Sequence, residues 1–389
     1  MMTSPITVAI PVDILQWILS IGDTARLNDK QQKDVENWLN GTSQPTVTKV
    51  QELGEKLRVP FGYFFLPHPI DDTPAVFGKR TVGSTNNQAK PSRDLIDTVN
   101  EMLALQDWAH EDAKQAGDEP LSFVGSATLH TSELRFVANI RKQLNLSEEW
   151  YAEEDLNQPT KAFKLLRERI ESTGTIVMMN GIVGQNTHRP LDPEEFRAFA
   201  LTDSRAPLIF INRSDPSEAG RVFSLLHEFA HIWLGSEELY NDSGNSDLVS
   251  PTEQLCNQVA SEFLMPQSKF EAAWNRHDNL DNNRRIEILS KEFPVSYVSV
   301  ALRAYNSKFI SRAVFEQTRN DSVSAWRETP HDKSSGGDYY KTKLSRIDSR
   351  LLDRIATSIA EGRTTYTEAY RLTKTTRESF PRLLEKTQS

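Results

Sequence analysis

The 389-residue sequence contains a single cysteine, Cys256, which excludes an intramolecular disulfide framework. It also lacks any run close to the roughly 20 apolar residues that a membrane-spanning helix needs. The segment Met1–Ser20 has no basic start, and Asp13 interrupts its apolar run, so we expect no targeting segment. Together these features predict a cytoplasmic protein that does not contact a membrane.

An excess of positive charge is also missing, because 45 Lys and Arg stand against 54 Asp and Glu, a net charge of −9. This total argues against a chain devoted to coating nucleic acid or anionic membrane. The balance differs between the ends: residues 338–389 contain 11 basic against 7 acidic residues, a net charge of +4, whereas residues 1–70 contain 6 against 7, a net charge of −1. The C-terminal segment is therefore the candidate for contact with nucleic acid or an acidic partner, although a solvated helical face explains the same charge.

Composition and periodicity divide the chain into five regions. With 38% hydrophobic and 25% charged residues, the whole is globular in composition. We predict a helical region at 1–70, a linker followed by helices at 71–159, and a patterned domain at 160–310. A linker at 311–337, which ends in Ser-Ser-Gly-Gly, and a small helical region at 338–389 complete the chain.

Within 160–310, apolar and β-branched segments alternate with a long helical pattern. Gly174–Met179, Phe196–Leu201 and Pro207–Asn212 are predicted buried strands. An apolar helix follows from about Ser217 to Leu234 and ends at Gly235, since glycine is the usual residue just past a helix C-terminus. Strands mixed with helices in this way predict an α+β domain.

That helix contains His-Glu-Phe-Ala-His, the one motif that predicts chemistry. His227 and His231 are one turn apart on the same face, so both imidazoles can bind one zinc ion. Glu228 lies about 100° further round the helix, where its carboxylate can take a proton from a zinc-bound water and pass it to a leaving amine. The alternative is an amphipathic helix with incidental histidines. The apolar flanks disfavour it, because buried polar groups need partners.

A catalytic zinc site needs a third protein ligand, for which Glu253 is our candidate. It lies at the start of a helix that Ser250 is expected to cap and that should end near Met265. The competing role for Glu253 is the second half of a capping box with Ser250. Asn257, one turn further on, is placed to hydrogen-bond a ligand, or it is simply a polar residue of the helix surface.

Other potential ligands are weaker candidates. Cys256 is a rival because thiolate binds zinc, but a small core residue is the better interpretation. Glu262 and Asp247 are further rivals. The remaining histidines have no partner at ligand spacing, and we expect them at the surface or in structural roles: His68, His110, His130, His188, His277 and His331.

The strand Pro207–Asn212 directly precedes the site helix. In zinc peptidases an edge strand beside the active helix binds substrate backbone by strand addition. The sequence leaves open whether this segment is such an edge or an ordinary buried strand.

Several segments of 160–310 resemble, in order, the ImmA/IrrE family of bacterial zinc metallo-endopeptidases. They are Gly181–Arg197, Ala206–Asn212, Phe223–Gly235 and Glu253-x-x-Cys256-Asn257 ahead of Phe263–Pro266. Cys256 departs from the alanine usual there. The resemblance implies a zincin-like domain, a small sheet with an active-site helix of gluzincin type. It also implies that His227, His231 and Glu253 bind Zn²⁺ and that Glu228 is the catalytic acid and base.

The ends are similar to the long members of that family, which carry an N-terminal Xre-type helix-turn-helix. Val35–Gly41, Gln44–Thr46 and Pro60–Pro67 match that pattern, and residues 336–372 match the C-terminal region of the same members. The interval from Gly22 to Trp38 is shorter than a complete helix-turn-helix needs, so the region is a degenerate version.

The resemblance implies a zinc-dependent endopeptidase that cleaves or controls a regulatory protein, such as an Xre-type repressor or a toxin–antitoxin partner. The alternative is a non-proteolytic transcriptional regulator or antitoxin that binds DNA or a toxin, with a structural or vestigial metal site. In that case the terminal regions would contact DNA. A hydrolase acting on a non-peptide bond is a third, weaker alternative.

Overall fold

The computed structural model describes residues 6–74, 91–153, 155–236, 239–240, 250–328 and 338–387. Two compact units form within it, one from residues 6–74 and 91–100 and the other from residue 101 onward. Of the described helices, none is long and apolar enough to cross a membrane.

The first unit is helical. It contains α1 (Val12–Ile21), α2 (Asp29–Leu39), α3 (Val47–Leu57), a 3₁₀ turn (Phe61–Phe65) and the start of α4 (Arg93–Ala116). Apolar residues at three- and four-residue spacing build its core, and these include Ile14, Ile18, Val50, Leu53 and Leu57.

The second unit contains a small sheet surrounded by helices, so the fold is α+β, with a zincin-like domain flanked by helical regions. Its helices before and around the sheet are α5 (Glu133–Leu144), α6 (Pro159–Glu171), α7 (Glu218–Leu234), α8 (Pro251–Leu264), α9 (Gln267–Arg276), α10 (Asn282–Glu292), α11 (Tyr297–Asn306) and α12 (Arg312–Glu328). Four more helices follow: α13 (Tyr339–Arg346), α14 (Ser349–Ala360), α15 (Tyr366–Thr373) and α16 (Ser379–Thr387).

The sheet has the strand order β1-β3-β2-β4, with β1 (Ile176–Asn180), β2 (Ala198–Leu201), β3 (Leu208–Asn212) and β4 (Leu239–Tyr240). β1 runs parallel to β3, while β2 is antiparallel to both β3 and β4. The predicted strand Pro207–Asn212 is therefore an interior strand, and its five residues in β3 are all buried. Of the two interpretations of this segment, the structure selects the buried strand, because β1 and β2 already occupy both of its hydrogen-bonding sides.

The core of the second unit begins before the predicted domain start at 160. Phe136 and Trp150 belong to the same buried cluster as the sheet and α7. The buried Gln106 of α4 donates to the carbonyls of Leu201 and Ala206 at 2.8 and 3.0 Å. The boundary at 160 therefore does not coincide with a break in the core.

The predicted linker 311–337 is wrong for residues 312–328, which form α12. Tyr305 of α11 stacks on Phe315 with ring centroids 5.6 Å apart, and Thr318 is buried one turn on. The described packing side chains, Val314, Phe315 and Thr318, lie in the first turns of α12, and so few apolar positions give the sequence little periodicity. The Ser-Ser-Gly-Gly end of the predicted linker lies outside the described residues.

The C-terminal helices cover the outer edge of β1. The carboxylate of Asp348, which caps α14, accepts a hydrogen bond from the backbone N–H of Val177 at 3.0 Å. Arg167 of α6 donates to the carbonyl of Val177 at 3.0 Å and to that of Ile347 at 3.0 Å. The backbone groups that β1 would otherwise expose are thus satisfied by side chains.

A buried carboxylate on α4 neutralises part of the positive C-terminal charge. Asp112, which is 2% exposed, accepts from Arg354 at 2.7 Å and from Arg363 at 2.9 Å. Trp108, one turn earlier, donates its indole N–H to the Thr364 hydroxyl at 3.0 Å. Two of the basic residues that suggested contact with nucleic acid therefore have partners inside the protein.

Candidate metal centre

The helix α7 has the boundaries that its sequence predicts. The Ser217 hydroxyl accepts a hydrogen bond from the Gly220 N–H at 2.9 Å at its start, and Gly235 ends it in the left-handed region with φ of 66°. The side chains of His227, Glu228 and His231 are all fully buried. The motif is therefore held on a rigid, well-capped helix inside the core.

Two histidines and a glutamate converge on one point. The Nε2 atoms of His227 and His231 are 3.0 Å apart. The Glu253 oxygens Oε2 and Oε1 lie 3.1 Å from the Nε2 atoms of His227 and His231, respectively. All three donor atoms lie within 4.8 Å of one another, so this cluster can hold a metal ion.

The charge states of these side chains suit a cation. Burial lowers the pKa of His227, which favours the neutral imidazole. Burial alone would raise the pKa of Glu253, but its hydrogen bonds with the two histidines outweigh burial and lower that pKa, so the carboxylate is ionised. A neutral imidazole at His227 beside an ionised carboxylate is the ligand state that a divalent metal needs.

The backbone and the carboxylate of Glu253 make separate contacts. Its backbone N–H donates to the Ser250 hydroxyl at 3.1 Å and so completes the N-terminal cap of α8. Its carboxylate meets the two histidines. The carboxylate, which in a capping box would bond the Ser250 N–H, therefore lies 3.1 Å from both histidines, where it can serve as a metal ligand.

Polar partners surround the cluster. The Ser236 hydroxyl lies 2.9 Å from Nδ1 of His231, and the hydroxyl of Thr202 donates to the Ser236 carbonyl at 3.1 Å. The side chain of Asn257 hydrogen-bonds His227, at the position the sequence suggested. Ser236 was not predicted. The sequence signal that could have identified it is its position directly after Gly235, because the chain past a helix end turns back toward the last turn.

Glu228 lies beside His227 on α7 and is not one of the three converging donors. Its side chain is fully buried. Glu253 is therefore the third residue of the cluster, and Glu228 is a second glutamate, adjacent to His227 in the sequence.

The rival ligands lie elsewhere or in structural roles. Cys256 is buried in the hydrophobic core. Glu262 is paired with Arg303 at 3.3 Å and accepts from the Gln267 N–H at 3.0 Å. Asp247 lies outside the described residues. The other histidines are exposed (His68, His130 and His188), paired with carboxylates (His110 with Asp203, His277 with Glu292) or outside the described residues (His331).

Comparison with protein families agrees with this geometry. Residues 185–305 match the family model described as the M78 peptidase, IrrE N-terminal-like domain. The matched segment contains α7, α8 and all three donors, so this part of the chain is similar to the ImmA/IrrE family and is related to metallopeptidases. Residues 347–386 match a second model, described as a domain of unknown function. No curated protein and no solved structure matches the chain.

Proposed function

We propose that the protein is a zinc-dependent endopeptidase. The observation that carries this proposal is the convergence of two imidazole nitrogens and one carboxylate, with a further buried glutamate beside the first histidine. A two-histidine, one-glutamate donor set is that of catalytic zinc sites, which keep one position open. The proposal agrees with the relationship of residues 185–305 to metallopeptidases.

Each residue has a role in the proposed reaction. His227, His231 and Glu253 would hold Zn²⁺, which when bound supplies a Lewis acid and makes a nearby water more acidic. Glu228 would accept the proton of the attacking water and deliver it to the leaving amine. Ser236 and Asn257 would keep the two imidazoles in orientation through their hydrogen bonds.

For the substrate we propose a regulatory protein, an Xre-type repressor or a toxin–antitoxin partner. The resemblance of both ends of the chain to the long family members supports this choice. We also propose that residues 1–70 are a degenerate Xre-like helical region. The competing function is a regulator that binds DNA or a toxin without cleaving it. The pairing of Arg354 and Arg363 with Asp112 weakens it, because these arginines are engaged inside the protein.

The test compares the wild type with Glu228→Gln in cleavage of a proteome-derived peptide library, read by mass spectrometry. Metal content is measured on the same samples. We expect both proteins to bind one zinc ion and only the wild type to cleave. Glu218→Gln is the matched control, since Glu218 is half exposed at the start of the same helix.

Equal cleavage by Glu228→Gln would refute the role of that carboxylate. A wild-type protein that binds zinc but leaves every peptide intact would favour the regulatory binding function.

A further inference from the structure

Four basic side chains from three segments of the chain lie near the carboxyl ends of β1 and β3. Arg213 directly follows β3, and its backbone N–H donates to the Asn180 carbonyl at the end of β1. Lys343 and Arg346 lie on α13, and Lys374 ends α15 in a left-handed conformation. We call these four residues the basic cluster.

Hydrogen bonds fix the cluster in place. Lys343 donates its ammonium to the Lys374 carbonyl at 2.9 Å, and the amide of Gln185 donates to the same carbonyl. The guanidinium of Arg213 donates to the Ser345 hydroxyl at 3.0 Å. The cluster therefore joins the loop after β1, the end of β3 and the C-terminal helices.

The charges of the cluster are poorly balanced. Lys343 is only 7% exposed. This burial, followed by the charges of Arg346 and Lys374, lowers its pKa to about 8. Burial and Arg213 lower the pKa of Arg346. Glu101 is the carboxylate that acts on Lys343, and it is also paired with Lys374 at 3.4 Å.

Other arginines of the C-terminal helices are balanced by a carboxylate. Arg354 and Arg363 share the buried Asp112, whereas Arg346 is exposed to the like charge of Arg213. The Nε of Arg346 is buried and has no hydrogen-bond partner among the described residues. Like charges at close range in a partly buried place destabilise the fold unless an anion compensates them.

We propose that the basic cluster binds the phosphate group of a small phosphorylated ligand. Guanidinium groups match phosphate oxygens in geometry, and an ammonium adds a compact charge. The carboxyl ends of parallel strands are also a common place for such ligands.

The burial of Lys343 favours a small ligand over a nucleic-acid backbone. A duplex presents its phosphates on a wide convex surface and needs exposed lysines and arginines to reach them. Lys343 is only 7% exposed, so a small anion reaches its ammonium more readily than a duplex does. Because the cluster joins α13 and α15 to the ends of β1 and β3, bound phosphate would tie the C-terminal helices to the sheet.

The test measures binding of inorganic phosphate and pyrophosphate to the full-length protein by calorimetry, with ionic strength held constant by NaCl. We expect Arg346→Met and Lys343→Met each to weaken binding by about tenfold or more, the loss of one charge-assisted contact. Arg382→Met is the control: it removes the same charge from an exposed position on α16 and should leave affinity unchanged.

Thermal unfolding without phosphate establishes that each variant is folded, and Arg213→Met replaces Lys343→Met if the buried substitution prevents folding. Absence of phosphate binding by the wild type would overturn the proposal, as would equal affinity in the variants and the wild type. Binding that disappears when a chelator removes the metal would assign the phosphate to the metal centre instead. Duplex DNA binding weakened equally by Arg382→Met would indicate a diffuse surface and would also overturn it.

Discussion

Ser236 and His231 are joined by a contact of 2.9 Å between the serine hydroxyl and the imidazole Nδ1. The hydroxyl can accept a hydrogen bond from Nδ1–H, which leaves the Nε2 lone pair free on the side of His227 and Glu253. Ser236 is itself held through its carbonyl by Thr202, next to the end of β2. The sheet therefore contributes to the orientation of a residue on the site helix.

The first prediction concerns this contact. Ser236→Ala should weaken zinc binding by about tenfold to 100-fold, because the imidazole loses the group that fixes its tautomer and rotation. Ser236→Thr should restore most of the affinity, since it keeps the hydroxyl. Competition with a chromophoric chelator measures both. Ser290→Ala, on α10, provides the control for loss of a serine hydroxyl. Equal zinc affinities of Ser236→Ala and Ser290→Ala would contradict the prediction.

The second prediction separates the two roles of Glu253. Glu253→Gln should lower zinc affinity by more than about 100-fold, a larger loss than that expected for Ser236→Ala. The helix α8 should keep its cap, because the cap uses the backbone N–H of Glu253. Ser250→Ala should do the opposite: it should lower the free energy of unfolding by about 1 kcal/mol and leave zinc affinity nearly unchanged. Chelator competition and urea denaturation on the two variants give the comparison. If both variants lost zinc to the same extent, the separation of roles would be wrong.

The third prediction concerns the attachment of the C-terminal helices. Asp112→Asn leaves Arg354 and Arg363 without their shared negative charge, and should lower the free energy of unfolding of this region by about 3 kcal/mol. Hydrogen exchange of the α14 amides should become faster. Asp353→Asn, at an exposed position of α14 itself, is the control and should leave the exchange of these amides unchanged. Similar exchange rates in the two variants would show that the pairs of Asp112 contribute little.

The fourth prediction is a pH dependence from Glu171. Burial, followed by the charge of Asp348, raises its pKa from 4.5 to about 7, although Arg167 opposes the shift. A folded-state pKa above the unfolded value stabilises the protein fully below pH 4.5, and this contribution is lost as pH rises through about 7. Its size is at most about 3 kcal/mol.

Glu171→Gln removes that titration. Urea denaturation at pH 5 and pH 8 should therefore show the variant gaining stability relative to the wild type at the higher pH. Glu119→Gln, at an exposed position after α4, should keep the wild-type difference between the two pH values. A constant difference between Glu171→Gln and the wild type would show that Glu171 does not titrate in this range.

Local signals predicted the parts of the site that lie on single helices. Ser217 and Gly235 define the ends of α7, and Pro251 begins α8, because caps and helix breakers act within a few residues. The spacing of His227 and His231 needs only helix geometry. The place of Glu253 beside both histidines joins two helices, and we expected it from the need for a third ligand and from the family resemblance, not from a local signal.

Contacts between distant segments were beyond the sequence. Whether β3 is an edge or an interior strand depends on which strands pair with it, and β1 and β2 are separated from each other by a long loop. The contact of Asp348 with Val177 likewise joins residues far apart in the chain. Neither has a local pattern, because the same apolar residues suit a strand in either position.

The covered edge of β1 has a consequence for synthesis. The ribosome makes the sheet well before it makes Asp348, so a nascent chain that ends near residue 330 displays an unpaired strand backbone at Val177. Such an edge can pair with another chain, and partly made proteins are most exposed to this hazard. The last helices therefore act as a closing step of biogenesis: a chain released early would be expected to aggregate even though its histidines and Glu253 are all in place.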